Sequence, residues 1–127
     1  ITAENVTLVP WTNLTYLSGY TTAENNPCQY RKIKNLDGSY TVQFRGQIKP
    51  SMGSFAVNST SYVASIPRDI MPFKNAFGIG IPDFNTIQNV RLVVIADLSS
   101  SNPRQLQIKV TGGAASYVSL DMLEYTI

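Results

Sequence analysis

Apolar and polar positions along this chain alternate at period two, and no segment sustains the 3.6-residue period of a helix. The clearest run puts Tyr40, Val42, Phe44, Gly46 and Ile48 on one face and Thr41, Gln43, Arg45, Gln47 and Lys49 on the other. This pattern predicts a half-buried antiparallel strand. Asp37-Gly38, just before it, predicts a two-residue hairpin turn with positive φ at both central residues, and a partner strand over Gln29 to Leu36. Val90 to Leu98 is greasy on both faces, with Val90, Leu92, Val94 and Ala96 on one and Val93 and Ile95 on the other. Such a strand is either central in a sandwich or covered on its second face by a neighbouring subunit, and the second reading makes Val93 and Ile95 a subunit contact.

Ser99 to Pro103 is a turn cluster, after which Leu106, Ile108 and Val110 mark a returning strand, and Gly112-Gly113 a second turn. The final run, Val118, Leu120 and Met122, changes phase to Leu123, Tyr125 and Ile127. That one-residue slip predicts a β-bulge near Met122. Between Lys49 and Pro82 the alternation weakens to short strands at Phe55 and Val57 and at Tyr62, Ala64 and Ile66, broken by Pro67, Pro72 and Pro82. Short strands punctuated by turns predict a single all-β domain over residues 1–127, an antiparallel β-sandwich without a long helix.

Composition narrows the chemistry. Of 127 residues 43% are hydrophobic and only 14% charged, and the net charge of +2 is scattered. The nearest thing to a basic run, Arg31, Lys32 and Lys34, is too short for a nucleic-acid footprint. The longest apolar stretch, Leu92 to Ala96, is far below the ~20 residues of a membrane span. Cys28 is the only cysteine, so no intrachain disulfide forms and the fold rests on packing, as in a product assembled inside a cell. Three Asn-x-Ser/Thr triplets, at Asn5, Asn13 and Asn58, are what so Thr-rich a chain produces by chance. Beginning at Ile1, with neither a methionine nor a signal pattern, the chain reads as a piece of something longer.

There is no histidine, which removes Ser-His-Asp and Cys-His catalysis as ordinarily built, and His-containing zinc sites with them. No phosphate-binding glycine loop is present, since Gly78-Ile79-Gly80 lacks a third glycine and a following helix. Paired carboxylates remain formally able to cleave glycosides, from Glu4, Glu24, Asp37, Asp69, Asp83, Asp97, Asp121 and Glu124. Asp37, Asp69 and Asp97 are explained by turns and strand ends, and Asp121 and Arg45 by outward strand positions. The expectation is a non-enzymatic module without metal or cofactor. Its binding equipment is aromatic, because sugar C–H faces stack on rings while polar side chains satisfy hydroxyls. The candidate ligand-binding residues are Trp11, Tyr16, Tyr20, Tyr62 and Arg91.

Several segments carry a resemblance. Trp11-Thr12-Asn13-Leu14-Thr15-Tyr16-Leu17-Ser18-Gly19-Tyr20 is followed by Gln29-Tyr30-Arg31-Lys32-Ile33, Val42-Gln43-Phe44-Arg45-Gly46 and, near the end, Tyr117-Val118-Ser119-Leu120-Asp121. In this order they resemble the C-terminal receptor-binding and baseplate domains of tail proteins from tailed phages of Gram-positive bacteria. The chain departs from that pattern at Ile66-Pro67-Arg68-Asp69-Ile70-Met71-Pro72, at Tyr117 where tryptophan is frequent, and at Met122 where glycine usually follows Ser-Leu-Asp. The resemblance implies a jelly-roll-like knob, trimeric, carried on the virion tail tip beside other tail and baseplate proteins. It also implies a host cell-wall saccharide or teichoic-acid-like polymer as ligand. A purely structural baseplate domain and a carboxylate-based glycan hydrolase are the alternatives.

Overall fold

The computed structural model describes residues 6–82, 89–96 and 103–127. The expectations that touch Glu4, Asn5, Asp83, Asp97, Leu98 and the turn residues 99–102 lie outside the described residues. Twelve strands are described: β1 (Val6–Asn13), β2 (Thr15–Tyr16), β3 (Tyr20–Thr22), β4 (Gln29–Lys34), β5 (Tyr40–Arg45), β6 (Gln47–Pro50), β7 (Thr60–Ser65), β8 (Ala76–Pro82), β9 (Asn89–Val94), β10 (Gln105–Thr111), β11 (Val118–Ser119) and β12 (Glu124–Thr126). All described pairings are antiparallel. A single 3-10 turn, Arg68–Ile70, is the only helical element among the described residues, and no helix is long and apolar enough to cross a membrane.

The strands form two sheets, β1-β4-β5-β12 and β2-β7-β10-β9-β8-β11-β6-β3. The first and last strands of the larger sheet are joined by Leu17 to Gly19, so a turn only a few residues long holds its two edges together. Eight alternating strands leave those edges antiparallel, and the sheet curls almost into a barrel. The seam is tied by Tyr16 and Thr22, whose hydroxyls lie 2.7 Å apart, and by the Cys28 amide, which donates to the Tyr16 hydroxyl at 3.0 Å. One buried cluster fills both sheets, with Val42 and Phe44 from the small sheet and Ile48, Leu92, Leu106, Ile108, Val118 and Leu120 from the large one or its margins.

The β4–β5 hairpin forms as its alternation dictates, with Tyr30, Val42 and Phe44 buried. Its loop is longer than a two-residue turn. Asn35 accepts from the Gly38 amide at 3.1 Å and its own amide donates to Ser39 at 2.8 Å, and of Asp37 and Gly38 only Gly38 has positive φ, +89°. This is a three-residue connection with a left-handed glycine, in which Asp37 accepts from the amide and hydroxyl of Ser39.

The run from Tyr40 to Ile48 is two strands in different sheets. Gly46, at φ +104°, turns the chain from β5 into β6. A Cβ built there would stand 2.2 Å from the Pro27 carbonyl oxygen, so neither the conformation nor the space admits a side chain. The C-terminal phase slip lies at the same corner. It is a turn and not a bulge: the Leu123 amide donates to Leu120 at 2.9 Å, and the chain passes from β11 to β12, again between sheets. The two crossings are bonded to each other. Leu120 donates to the Gly46 carbonyl at 2.9 Å, and the Gly46 amide donates to Asp121 Oδ1 at 2.9 Å.

Other expectations change. Val93 and Ile95 are 2% and 7% exposed within the single chain, so they are not available as a subunit contact. Val93 stands in register between Phe77 of β8 and Gln107 of β10, its larger cross-strand neighbours. The strand itself ends at Val94. Phe55 makes only an isolated bridge to Ala115, and Val57 is exposed. The 3-10 turn is pinned under the small sheet, where Ile70 is buried and its carbonyl accepts from the Tyr125 hydroxyl at 2.6 Å, while Lys32 Nζ donates to the Asp69 carbonyl at 2.7 Å.

Two outcomes follow for stability. Gly46→Ala costs about 3 kcal/mol or more, combining left-handed strain with a backbone clash, whereas Asp121→Ala costs about 1–3 kcal/mol through loss of one charge-assisted bond. Urea denaturation of both variants checks the order. Burial raises the Cys28 thiol from 9.0 to about 12 and also raises the Tyr16, Tyr30 and Tyr125 hydroxyls. Each group keeps its proton in the folded state after the unfolded chain has lost it. Their contribution to stability is therefore complete below about pH 9 and falls progressively from there towards pH 12. Cys28→Ala makes the first part of that decline shallower in a denaturation series against pH.

Candidate functional site

The outward face of the small sheet is built by the alternation that buries Tyr30, Val42 and Phe44. The positions between them, Gln29, Arg31, Gln43 and Arg45, must point away from the core. The register pairs Gln29 with Arg45 and Arg31 with Gln43, and brings Asn13 of β1 beside Gln29 and Glu124 of β12 beside Gln43. Two polar rows result. In one, Arg45 Nε donates to Gln29 Oε1 at 2.8 Å, and Gln29 Nε2 to Asn13 Oδ1 at 2.8 Å. In the other, Arg31 Nε donates to Gln43 Oε1 at 2.6 Å, and Gln43 Nε2 to Glu124 Oε1 at 3.3 Å. Each glutamine is oriented by the chain of bonds, its oxygen towards an arginine and its nitrogen towards the next acceptor.

Trp11 joins the rows. Its ring has the Arg45 guanidinium 4.1 Å and the Arg31 guanidinium 4.7 Å from its centroid. These cation–π contacts hold the ring and the two forks in one arrangement. Both arginines use Nε within the rows, and their terminal nitrogens have no partner among the described residues. Beside them open two shallow grooves. One of about 450 Å³ is lined by Asn26, Pro27, Gln29, Arg45, Gly46, Gln47 and Asp121, with Asn26 Nδ2 donating to Gln47 Oε1 at 3.0 Å. The other, about 270 Å³, is lined by Trp11, Gln43, Phe44, Arg45, Asp121, Leu123 and Glu124. Arg45 and Asp121 border both. Guanidinium donors, carboxylate and amide acceptors and an indole thus share one solvent-open surface, a set that suits hydroxyl-rich ligands.

The five residues expected to bind a ligand do not come together. Trp11 stands on this face. Tyr16 and Tyr20 belong to the barrel seam: the Tyr16 hydroxyl is committed to Thr22 and Cys28, and Tyr20 stacks on buried Phe55 at 6.0 Å between centroids. Tyr62 and Arg91 lie on the outer face of the large sheet. There the Tyr62 hydroxyl accepts from Gln107 Nε2 at 3.2 Å, and the Arg91 guanidinium lies 4.8 Å over Phe77. Arg31, Arg45, Gln29, Gln43, Asp121 and Glu124 were not among the expected residues. Their signal was present as the alternation Gln-x-Arg facing Gln-x-Arg across one hairpin. Among the described residues no cluster of three or more Cys, Asp or Glu could hold a metal ion.

In comparisons with known proteins, the chain matches no protein-family model, no curated protein and no solved structure.

Trp11 is the only tryptophan, so its fluorescence reports this face alone. Arg45→Ala removes the closer of its two guanidiniums; acrylamide quenching of Trp11 rises in that variant, and rises less in Arg31→Ala.

Proposed function

We propose that this chain is a non-enzymatic adhesion module of a phage tail or baseplate, binding a host cell-wall saccharide or teichoic-acid-like polymer through the Trp11–Arg31–Arg45 face. On this reading it is a jelly-roll-like sandwich knob, working as a homotrimer on the virion among other tail and baseplate proteins. The resemblance of its motifs to such domains supports the setting. The observation that carries the ligand class is the pair of pre-bonded polar rows around one indole, opening into grooves bordered by Arg45, Asp121 and Glu124. Side chains already ordered by one another lose little further freedom on binding, so even a shallow site gains usable affinity.

Two carboxylates, Asp121 and Glu124, border one groove, which is the observation that favours the hydrolase alternative. Against it, Asp121 Oδ1 already accepts the buried Gly46 amide and so has a structural duty. Binding of the purified chain to cell-wall polysaccharide and to a glycan array tests the reading. Trp11→Ala and Arg45→Ala each weaken binding by about tenfold or more, the scale of a central Trp or Arg contact, while Tyr62→Phe leaves it unchanged. Release of reducing ends from the bound polysaccharide, lost in Glu124→Gln, would establish the hydrolase instead.

A further inference from the structure

The groove beside Trp11 is walled by charges of both signs that leave one another unpaired. Arg45 of β5 borders it together with Asp121 and with Glu124 of β12. Glu124 faces Gln43 across the β5–β12 ladder, and Arg45 lies two residues along β5 from Gln43, so Arg45 and Glu124 are diagonal neighbours about 7–8 Å apart. Long side chains reach across such a distance, yet no ion pair joins them among the described residues. Each charge is tied elsewhere. Arg45 Nε donates to Gln29, Glu124 Oε1 accepts from Gln43, and Asp121 Oδ1 accepts from the Gly46 amide. The terminal nitrogens of Arg45 and the second oxygen of each carboxylate are left without a partner among the described residues, at the walls of one groove of about 270 Å³.

We infer that this groove selects a zwitterionic ligand, one that carries an anionic oxyacid group and an ammonium group a few bonds apart. Such a ligand would be a unit of the polymer in the adhesion reading above, on which this selectivity rests. A purely anionic ligand that approaches Arg45 also approaches Asp121 and Glu124. A purely cationic one that approaches the carboxylates meets Arg45 and, on the same indole, Arg31. Like charges brought together at a binding surface cost affinity, so each single-charge ligand is penalised where the zwitterion gains twice. A neutral polyol escapes the repulsion, but its hydroxyls bring no charge to meet the guanidinium or the carboxylates. The gap between the opposite charges is also held open. Gln43 has its oxygen on Arg31 and its nitrogen on Glu124, so it cannot turn to close the space. To reach Glu124, Arg45 would give up Gln29 and leave the Trp11 ring, whose centroid is 4.1 Å away. Charges already fixed in place need little reordering when a ligand bridges them. Trp11, Phe44 and Leu123 line the same groove with carbon, which suits the short alkyl link between the two charged groups. The planar guanidinium fork matches the oxygens of a phosphate.

Trp11, the only tryptophan, lines the groove, so a fluorescence titration of the whole chain reads binding directly. Three probes are compared. Glycerophosphoethanolamine carries a phosphodiester and an ammonium group, its N-acetyl derivative keeps only the negative charge, and ethanolamine keeps only the positive one. The zwitterion binds about tenfold or more tightly than either of the others, the scale of one hydrogen bond to a charged group. Glu124→Gln, a change of nearly the same shape at an exposed position, lowers that preference severalfold and leaves the acetylated probe bound as strongly or more strongly. Arg45→Gln weakens both phosphodiesters alike. A wild-type chain that binds the acetylated probe or ethanolamine as tightly as the zwitterion overturns the inference. So does a chain that binds no probe, or a Glu124→Gln variant that keeps the full preference. Binding of cell-wall polysaccharide is measured on the same samples, so that the two failures are distinguishable. A chain that binds the polysaccharide without preferring the zwitterion overturns the zwitterion selectivity alone. One that prefers the zwitterion but binds no cell-wall polysaccharide overturns the adhesion reading alone.

Discussion

The exchange between Gly46 and the Leu120–Asp121 segment is the constraint on which the rest of this fold depends. β5 pairs with β12 in the small sheet, and β6 pairs with β11 in the large one. One two-stranded ribbon therefore bends from sheet to sheet, and its bonding continues through the bend by way of Gly46, Leu120 and Asp121. Backbone groups in a buried bend must find partners, and here each strand supplies the other's. If the Gly46 amide lost Asp121, the ladder would break where the two sheets are joined. The corner also shapes the exterior, because Arg45, Gly46 and Asp121 are at once bend residues and groove walls.

This explains which parts of the fold were legible in the sequence. Alternation at period two gave the strands of the β4–β5 hairpin and β10 their faces, because one side of each is wetted and the other packed. It could not show that Gly46 ends one strand and begins another, since Ile48 continues the same alternation into a different sheet. The phase slip at Met122 announced an irregularity, but a bulge and a sheet-changing turn displace the pattern by the same single residue. Strand β8 was missed for a physical reason. Its apolar side chains face outward over glycines, and strand recognition assumes that the larger apolar face is the inner one.

The candidate site was half legible. Trp11 stood out as a lone tryptophan among small polar residues. Its partners did not, because Gln29, Arg31, Gln43 and Arg45 are ordinary outward strand residues one at a time and become a site only when the hairpin register pairs them. Tyr16, Tyr20, Tyr62 and Arg91 were drawn in by residue type, and the structure places them away from the Trp11 face, each with a local contact of its own. The phage-like motifs fall largely on the same elements: Phe44-Arg45-Gly46 and Ser119-Leu120-Asp121 are the two halves of the corner. A motif series of this kind follows from how the sheets are joined, and its bearing on any ligand comes only through the grooves that the join creates.

The two distinctive surfaces lie on different sheets, the polar Trp11 face on the small one and the apolar β8 stripe on the large one. The grooves beside Arg45 are thus set apart from the exposed apolar side chains of β8. A shallow, water-exposed site of pre-ordered donors and acceptors binds weakly by itself, since its hydrogen bonds largely replace bonds to water. Several such sites held on one particle act at high effective concentration against a repeating polymer, which raises avidity by about 10²–10⁴ without any new contact. On the proposed adhesion reading, such multiplicity is what would make the weak polar face sufficient.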